Sequence, residues 1–93
     1  MYRLLIADDE PIVADSLAEY VNWKALGFEV SKAVYSVQEA LEAVEEQMVD
    51  VILTDIIMGE DTGLGLLEEV MSRNPEIVGV IISGHEDLSL IHI

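Results

Sequence analysis

Short apolar runs with no helical period alternate along the chain with longer segments of helical spacing. The runs Tyr2–Ala7, Phe28–Val34, Val51–Thr54 and Ile77–Ser83 read as strands buried on both faces. Between the second and third, Ser36–Met48 places Val37, Ala40, Leu41, Val44 and Met48 on one stripe. Ser36 followed by Glu39 is a capping box that marks the start of this helix. An earlier helix starts at Pro11, which is tolerated at the first helical position, and its apolar face is Val13, Leu17, Tyr20 and Val21. A third runs from about Gly63 to Arg73, is stopped by Asn74-Pro75, and buries Leu66, Leu67, Val70 and Met71. The order β-α-β-α-β-α-β implies right-handed crossovers and a doubly wound parallel sheet, an α/β fold of three layers.

At 93 residues and 10.3 kDa the chain holds one small domain, which buries only ~60–65% of the surface of its unfolded form. A hydrophobic content of 52% and a mean hydropathy of +0.38 exclude a disordered tail. Nineteen acids against four bases leave a net charge of −15, which repels phosphate backbones and anionic lipid. Direct nucleic-acid or membrane binding is therefore not expected of this domain. No apolar run approaches the ~18 residues of a membrane span, Leu4–Ala7 is too short for a signal peptide, and cysteine is absent. These bounds fit a cytoplasmic domain.

Two of the expected strands run directly into carboxylates. The first ends at Asp8-Asp9 and the third at Asp55, while the fourth ends in the hydroxyl of Ser83. In an open parallel sheet, ligands bind beyond the carboxyl ends of the strands, where the strand order reverses. If strands one and three flank that point, three carboxylates converge. Their repulsion is relieved by a hard cation with oxygen ligands, such as Mg²⁺, or by a shared proton. A carboxylate is also a nucleophile able to form an aspartyl phosphate. The competing reading makes these acids favourable charges at helix N-termini; it accounts for Asp9 and Glu10 but poorly for Asp55, which a loop separates from the third helix.

The runs Leu4-Leu5-Ile6-Ala7-Asp8-Asp9-Glu10-Pro11, Val51-Ile52-Leu53-Thr54-Asp55-Ile56-Ile57-Met58 and Val80-Ile81-Ile82-Ser83-Gly84 together resemble a response-regulator receiver domain of two-component signalling. The resemblance covers Tyr2 to about Asp87. It implies a flavodoxin-like sheet of order 2-1-3-4 and a phosphoryl group taken from a histidine kinase onto Asp55. It further implies Mg²⁺ held by Asp8, Asp9, Asp55 and the backbone carbonyl of Ile57, with Ser83 as the switch hydroxyl. Gly63 matches the glycine at which the loop after the acceptor turns into the third helix. The stretch from Asn22-Trp23-Lys24 to Leu26-Gly27-Phe28 resembles receivers joined to AraC-type DNA-binding domains. An output domain, transcription regulation and a homodimer formed on phosphorylation are thus implied. No enzyme is expected beyond catalysis of its own phosphorylation and dephosphorylation.

The chain departs from the receiver pattern in three places. Gly59 stands where a proline usually follows the methionine, which is expected to loosen the loop, and Thr62 replaces an acid or amide. Receivers also have a last helix-strand-helix whose strand carries a lysine, whereas here no lysine follows Lys32. Ile77–Ile82 is then an apolar strand with nothing after it to pair with or cover it. Residues 1–87 are accordingly expected to be a partial receiver, and Leu88–Ile93, which resemble the translation of a sequencing adapter, a non-native tail. Two alternatives stand beside this reading. One is a receiver-like interaction module that takes no phosphate. The other is an aspartate-nucleophile phosphatase, which needs D-x-D where this chain has Ile57. His85 and Trp23 are expected to be, respectively, a solvated loop residue and a half-buried plug after the first helix.

Overall fold

The computed structural model describes residues 1–83 and 89–92. Strands β1 (Tyr2–Ala7), β2 (Phe28–Val34), β3 (Val51–Asp55) and β6 (Val78–Ser83) lie parallel in the order β2-β1-β3-β6. That is the expected doubly wound sheet of order 2-1-3-4. The helices are α1 (Pro11–Tyr20), α2 (Val37–Glu46) and α3 (Gly63–Arg73). Alternation along β1 divides the core in two. Leu4 and Ile6 face α1 with Ala14 and Leu53, while Leu5 and Ala7 face α2 and α3 with Ile52, Leu66, Leu67 and Val70. The result is three layers with a helix stripe on each side of the sheet.

Local signals account for the helix ends. The Ser36 hydroxyl accepts the Glu39 N–H at 3.1 Å, as the capping box requires. Glu39 returns the contact through its carboxylate, which accepts from the Ser36 hydroxyl. Asn74 stops α3: its N–H reaches the Val70 carbonyl and its side chain accepts the Glu76 N–H just past Pro75. Trp23 is half-buried, donates its indole N–H to the Leu17 carbonyl at 2.8 Å, and meets Phe28 edge-on.

Four expectations need correction. Tyr20 is 80% exposed and Val13 lies at the surface, so Ala14, Leu17 and Ala18 form the inner stripe of α1 instead. Met48 lies past the end of α2 and is exposed. The loop after β3 contains a small antiparallel hairpin, β4 (Ile57–Met58) and β5 (Asp61–Thr62), too short to leave a period in the sequence. Finally, the edge of β6 is paired, because β7 (Ser89–His92) runs antiparallel along it.

Candidate functional site

β1 and β3 are adjacent and parallel, and the chain leaves β1 toward β2 on one side and reaches β3 on the other. Their carboxyl ends therefore lie side by side at the point where the strand order reverses, the position at which such sheets bind ligands. Asp8 and Asp9 follow β1, and Asp55 ends β3. One carboxylate oxygen from each of the three lies within 4.8 Å of the others.

Backbone N–H groups hold each carboxylate by one oxygen. Glu10 N–H donates to Asp8 Oδ1 at 2.9 Å, Ile56 N–H to Asp55 Oδ1 at 2.8 Å, and Gly59 N–H to Asp9 Oδ2 at 3.1 Å. The second oxygen of each acid is left without a protein hydrogen bond among the described residues. Asp8 is only 4% exposed, whereas Asp55 is half-buried and Asp9 exposed. Burial pushes the Asp8 carboxyl up to about 6; the Glu10 N–H opposes the rise, and the charges of Asp55, Asp9 and Glu10 add to it. Three hard oxygen donors within reach of one another suit a hard divalent cation such as Mg²⁺. A cleft of about 190 Å³ beside them is lined by Asp8, Glu10, Thr54, Asp55 and Ile82. A larger hollow of about 510 Å³, around Trp23 and Phe28, lies at the amino end of the strands and has no such convergence of acids.

The other predicted site residues fall around this cluster. Ile57 opens β4 opposite Thr62, two residues beyond Asp55. An apolar residue there leaves no second acid for D-x-D phosphatase chemistry. Ser83 ends β6 one residue past Ile82, which pairs with Asp55, so its backbone stands at the carboxyl edge of the strand next to β3. Gly84 and His85 lie outside the described residues.

Two glycines complete the site, Gly63 where the receiver pattern implied one and Gly59 in a way the sequence did not show. Gly63 begins α3 close to Asp55: its N–H bonds the Ile56 carbonyl at 2.8 Å, and a Cβ there would stand 2.0 Å from the Asp55 carbonyl oxygen. Glycine is needed for space, since its φ is not positive. Gly59 stands where the receiver pattern has a proline. It has a φ of +63° and forms, with Glu60, the tight turn of the β4–β5 hairpin. The only signal in the sequence was the Gly-Glu pair between two apolar and two polar residues.

Comparisons with known proteins agree with this geometry. The family model "Response regulator receiver domain" matches residues 4–92. Transcriptional regulatory protein MalR of Bacillus subtilis is 33% identical over 98% of the chain, and the B. subtilis transcriptional regulatory protein YesN is 31% identical over 90%. The chain spans only 38% and 23% of their respective lengths. Among solved structures, the REC domain of AraT, a response regulator from Geobacillus stearothermophilus, superposes with a TM-score of 0.80 at 30% identity, over 91% of this chain and 66% of that one. A two component transcriptional regulator AraC from Clostridium phytofermentans gives the same TM-score and identity over 94% and 70%. The matched span runs through all three acids and both faces of the sheet, and on that ground the chain belongs to the response regulator receiver domain family.

Proposed function

We propose that the chain is the phospho-accepting receiver of a transcriptional response regulator, taking a phosphoryl group from a histidine kinase onto Asp55. The observation that carries this reading is the convergence of Asp8, Asp9 and Asp55 at the switch point of a receiver sheet. Asp8 is buried and Asp9 exposed, whereas Asp55 is half-buried and lines the cleft beside Asp8. Asp55 closes β3 at the position where the receiver pattern carries its acceptor, and a donor can reach it through that cleft. With Oδ1 held by the Ile56 N–H, Oδ2 attacks phosphorus. The P–N bond of the phosphohistidine breaks, its electron pair stays on the imidazole, and a proton neutralises that ring. The product is an acyl phosphate on Asp55, which water later cleaves to restore the carboxylate and release phosphate.

Asp8, Asp9 and Asp55, with the backbone carbonyl of Ile57, are the proposed Mg²⁺ ligands. When bound, Mg²⁺ neutralises charge on the transferring phosphoryl group. Ser83 donates its hydroxyl to the new phosphoryl oxygen and so reports its arrival. In this reading residues 1–87 are receiver and 88–93 a tail foreign to it. The partners are a histidine kinase and a DNA-binding output domain, the chain itself is cytoplasmic, and a second copy joins on phosphorylation. Among the described residues no helix is long and apolar enough to cross a membrane.

Incubation with acetyl phosphate tests the reading. The wild-type chain should gain one phosphoryl group in Mg²⁺ and none in EDTA, and Asp55→Ala should abolish the gain. Labelling that survives the substitution would remove Asp55 from the role.

A further inference from the structure

The turn at Gly59 does something that a proline there could not. Residues Gly59 and Glu60 join β4 to β5 as a two-residue hairpin turn, with Met58 opposite Asp61. Gly59 has φ +63°, and no non-glycine residue described has a positive φ, so the positive angle falls on the first turn position alone. That is the type II′ arrangement, in which glycine is favoured at this position. The turn points the Gly59 N–H at Asp9 Oδ2, 3.1 Å away and 50 residues distant in sequence. Asp8 and Asp55 are held by N–H groups only two residues and one residue away. Asp9 alone is held by a separate element.

We propose that Gly59 is a positioning residue of the cation site: its N–H fixes the Asp9 carboxylate, so that closure of the hairpin and cation binding at Asp8, Asp9 and Asp55 reinforce each other. The inference rests on the Mg²⁺ reading given above. An exposed carboxylate samples several rotamers, and ordering it costs free energy when it must ligate a metal. The Gly59 N–H meets that cost in advance and still leaves the other oxygen for the cation. By reciprocity, a bound cation then holds the hairpin closed to the same degree. Met58, the residue before the turn, is buried in the core shared by α2 and α3. A proline at this position fixes φ near −65° and has no N–H, so it removes both the turn and the contact.

The test is calorimetric titration of the full 93-residue chain with MgCl₂, beside two variants. Gly59→Pro should weaken Mg²⁺ binding roughly ten- to a hundredfold, as expected for loss of one hydrogen bond to a charged group. Gly59→Asn keeps the N–H and tolerates a positive φ, so it should bind within about twofold of wild type. A second readout needs no metal: in EDTA, the Gly59 amide resonance should move in Asp9→Asn. Equal Mg²⁺ affinity in Gly59→Pro and wild type would overturn the proposal. So would Gly59→Asn binding as weakly as the proline variant, or a Gly59 amide indifferent to Asp9→Asn. The amide measurement also decides the question if Gly59→Pro does not fold. Wild type that shows no Asp55-dependent Mg²⁺ binding would instead refute the cation-site reading, with the Asp9 contact still judged in EDTA.

Discussion

Single residues at the acidic cluster are held against their own preference, and Asp8 shows this best. Its carboxyl, ordinarily near 3.8, titrates at about 6 because burial disfavours the charge. Between these two values the folded chain binds the proton and the unfolded chain does not, so stability falls as pH rises through the window and is level above it. The full penalty is on the order of 3 kcal/mol. In EDTA, Asp8→Asn should therefore match wild type near pH 4 and become the more stable protein by pH 7, with added Mg²⁺ closing the gap; equilibrium urea unfolding across pH reads this directly. A gap that is constant with pH would contradict the cause assigned to the shift. Gly63 makes the opposite case, a residue defined by what it lacks. Gly63→Ala drives a methyl group to 2.0 Å from the Asp55 carbonyl oxygen and must displace β3 or α3. A loss of roughly 1–3 kcal/mol in unfolding free energy is expected, together with slower phosphorylation. Wild-type behaviour in both would show that the contact relaxes freely.

Among the elements, those that bury a continuous or periodic apolar set were legible in the sequence. The four parallel strands and three helices fall within a residue or two of where their patterns place them, because each must hide apolar side chains on the sheet or against it. Ser36 announced α2 for a local reason, and the bond is present. Ser36→Ala should cost about 1 kcal/mol of stability with no change at the acids, measured by chemical denaturation; a loss below the error of that method would mean the cap is redundant. The face of α1 was misread because Tyr20 is apolar by composition yet placed at the open end of the helix, where nothing covers it. The β4–β5 hairpin was missed because two-residue strands carry no period. Its contact with Asp9 was missed for a more general reason: a backbone N–H is the same in every residue except proline, so the sequence marked only its possibility.

For the whole molecule, the sheet order is what brings acids from positions 8, 9 and 55 to one edge. Net charge works against this assembly. Nineteen acids face four bases, and Arg73 spends its charge between Glu45 of α2 and Glu69 of α3. Exposed pairs of this kind contribute about 0–1 kcal/mol each, too little to offset the general repulsion. In the reading proposed above, a divalent cation bound among Asp8, Asp9 and Asp55 would relieve part of that repulsion and stabilise the fold by mass action. That Asp55 is where the chemistry happens is the central claim, and borohydride trapping tests it most directly. After reaction with acetyl phosphate in Mg²⁺, borohydride reduces an acyl phosphate to the alcohol, turning the phosphorylated aspartate into homoserine. Peptide mass spectrometry should find homoserine at position 55 and at no other acid. Homoserine at Asp8 or Asp9, or none in a chain that has taken up phosphate, would contradict the account.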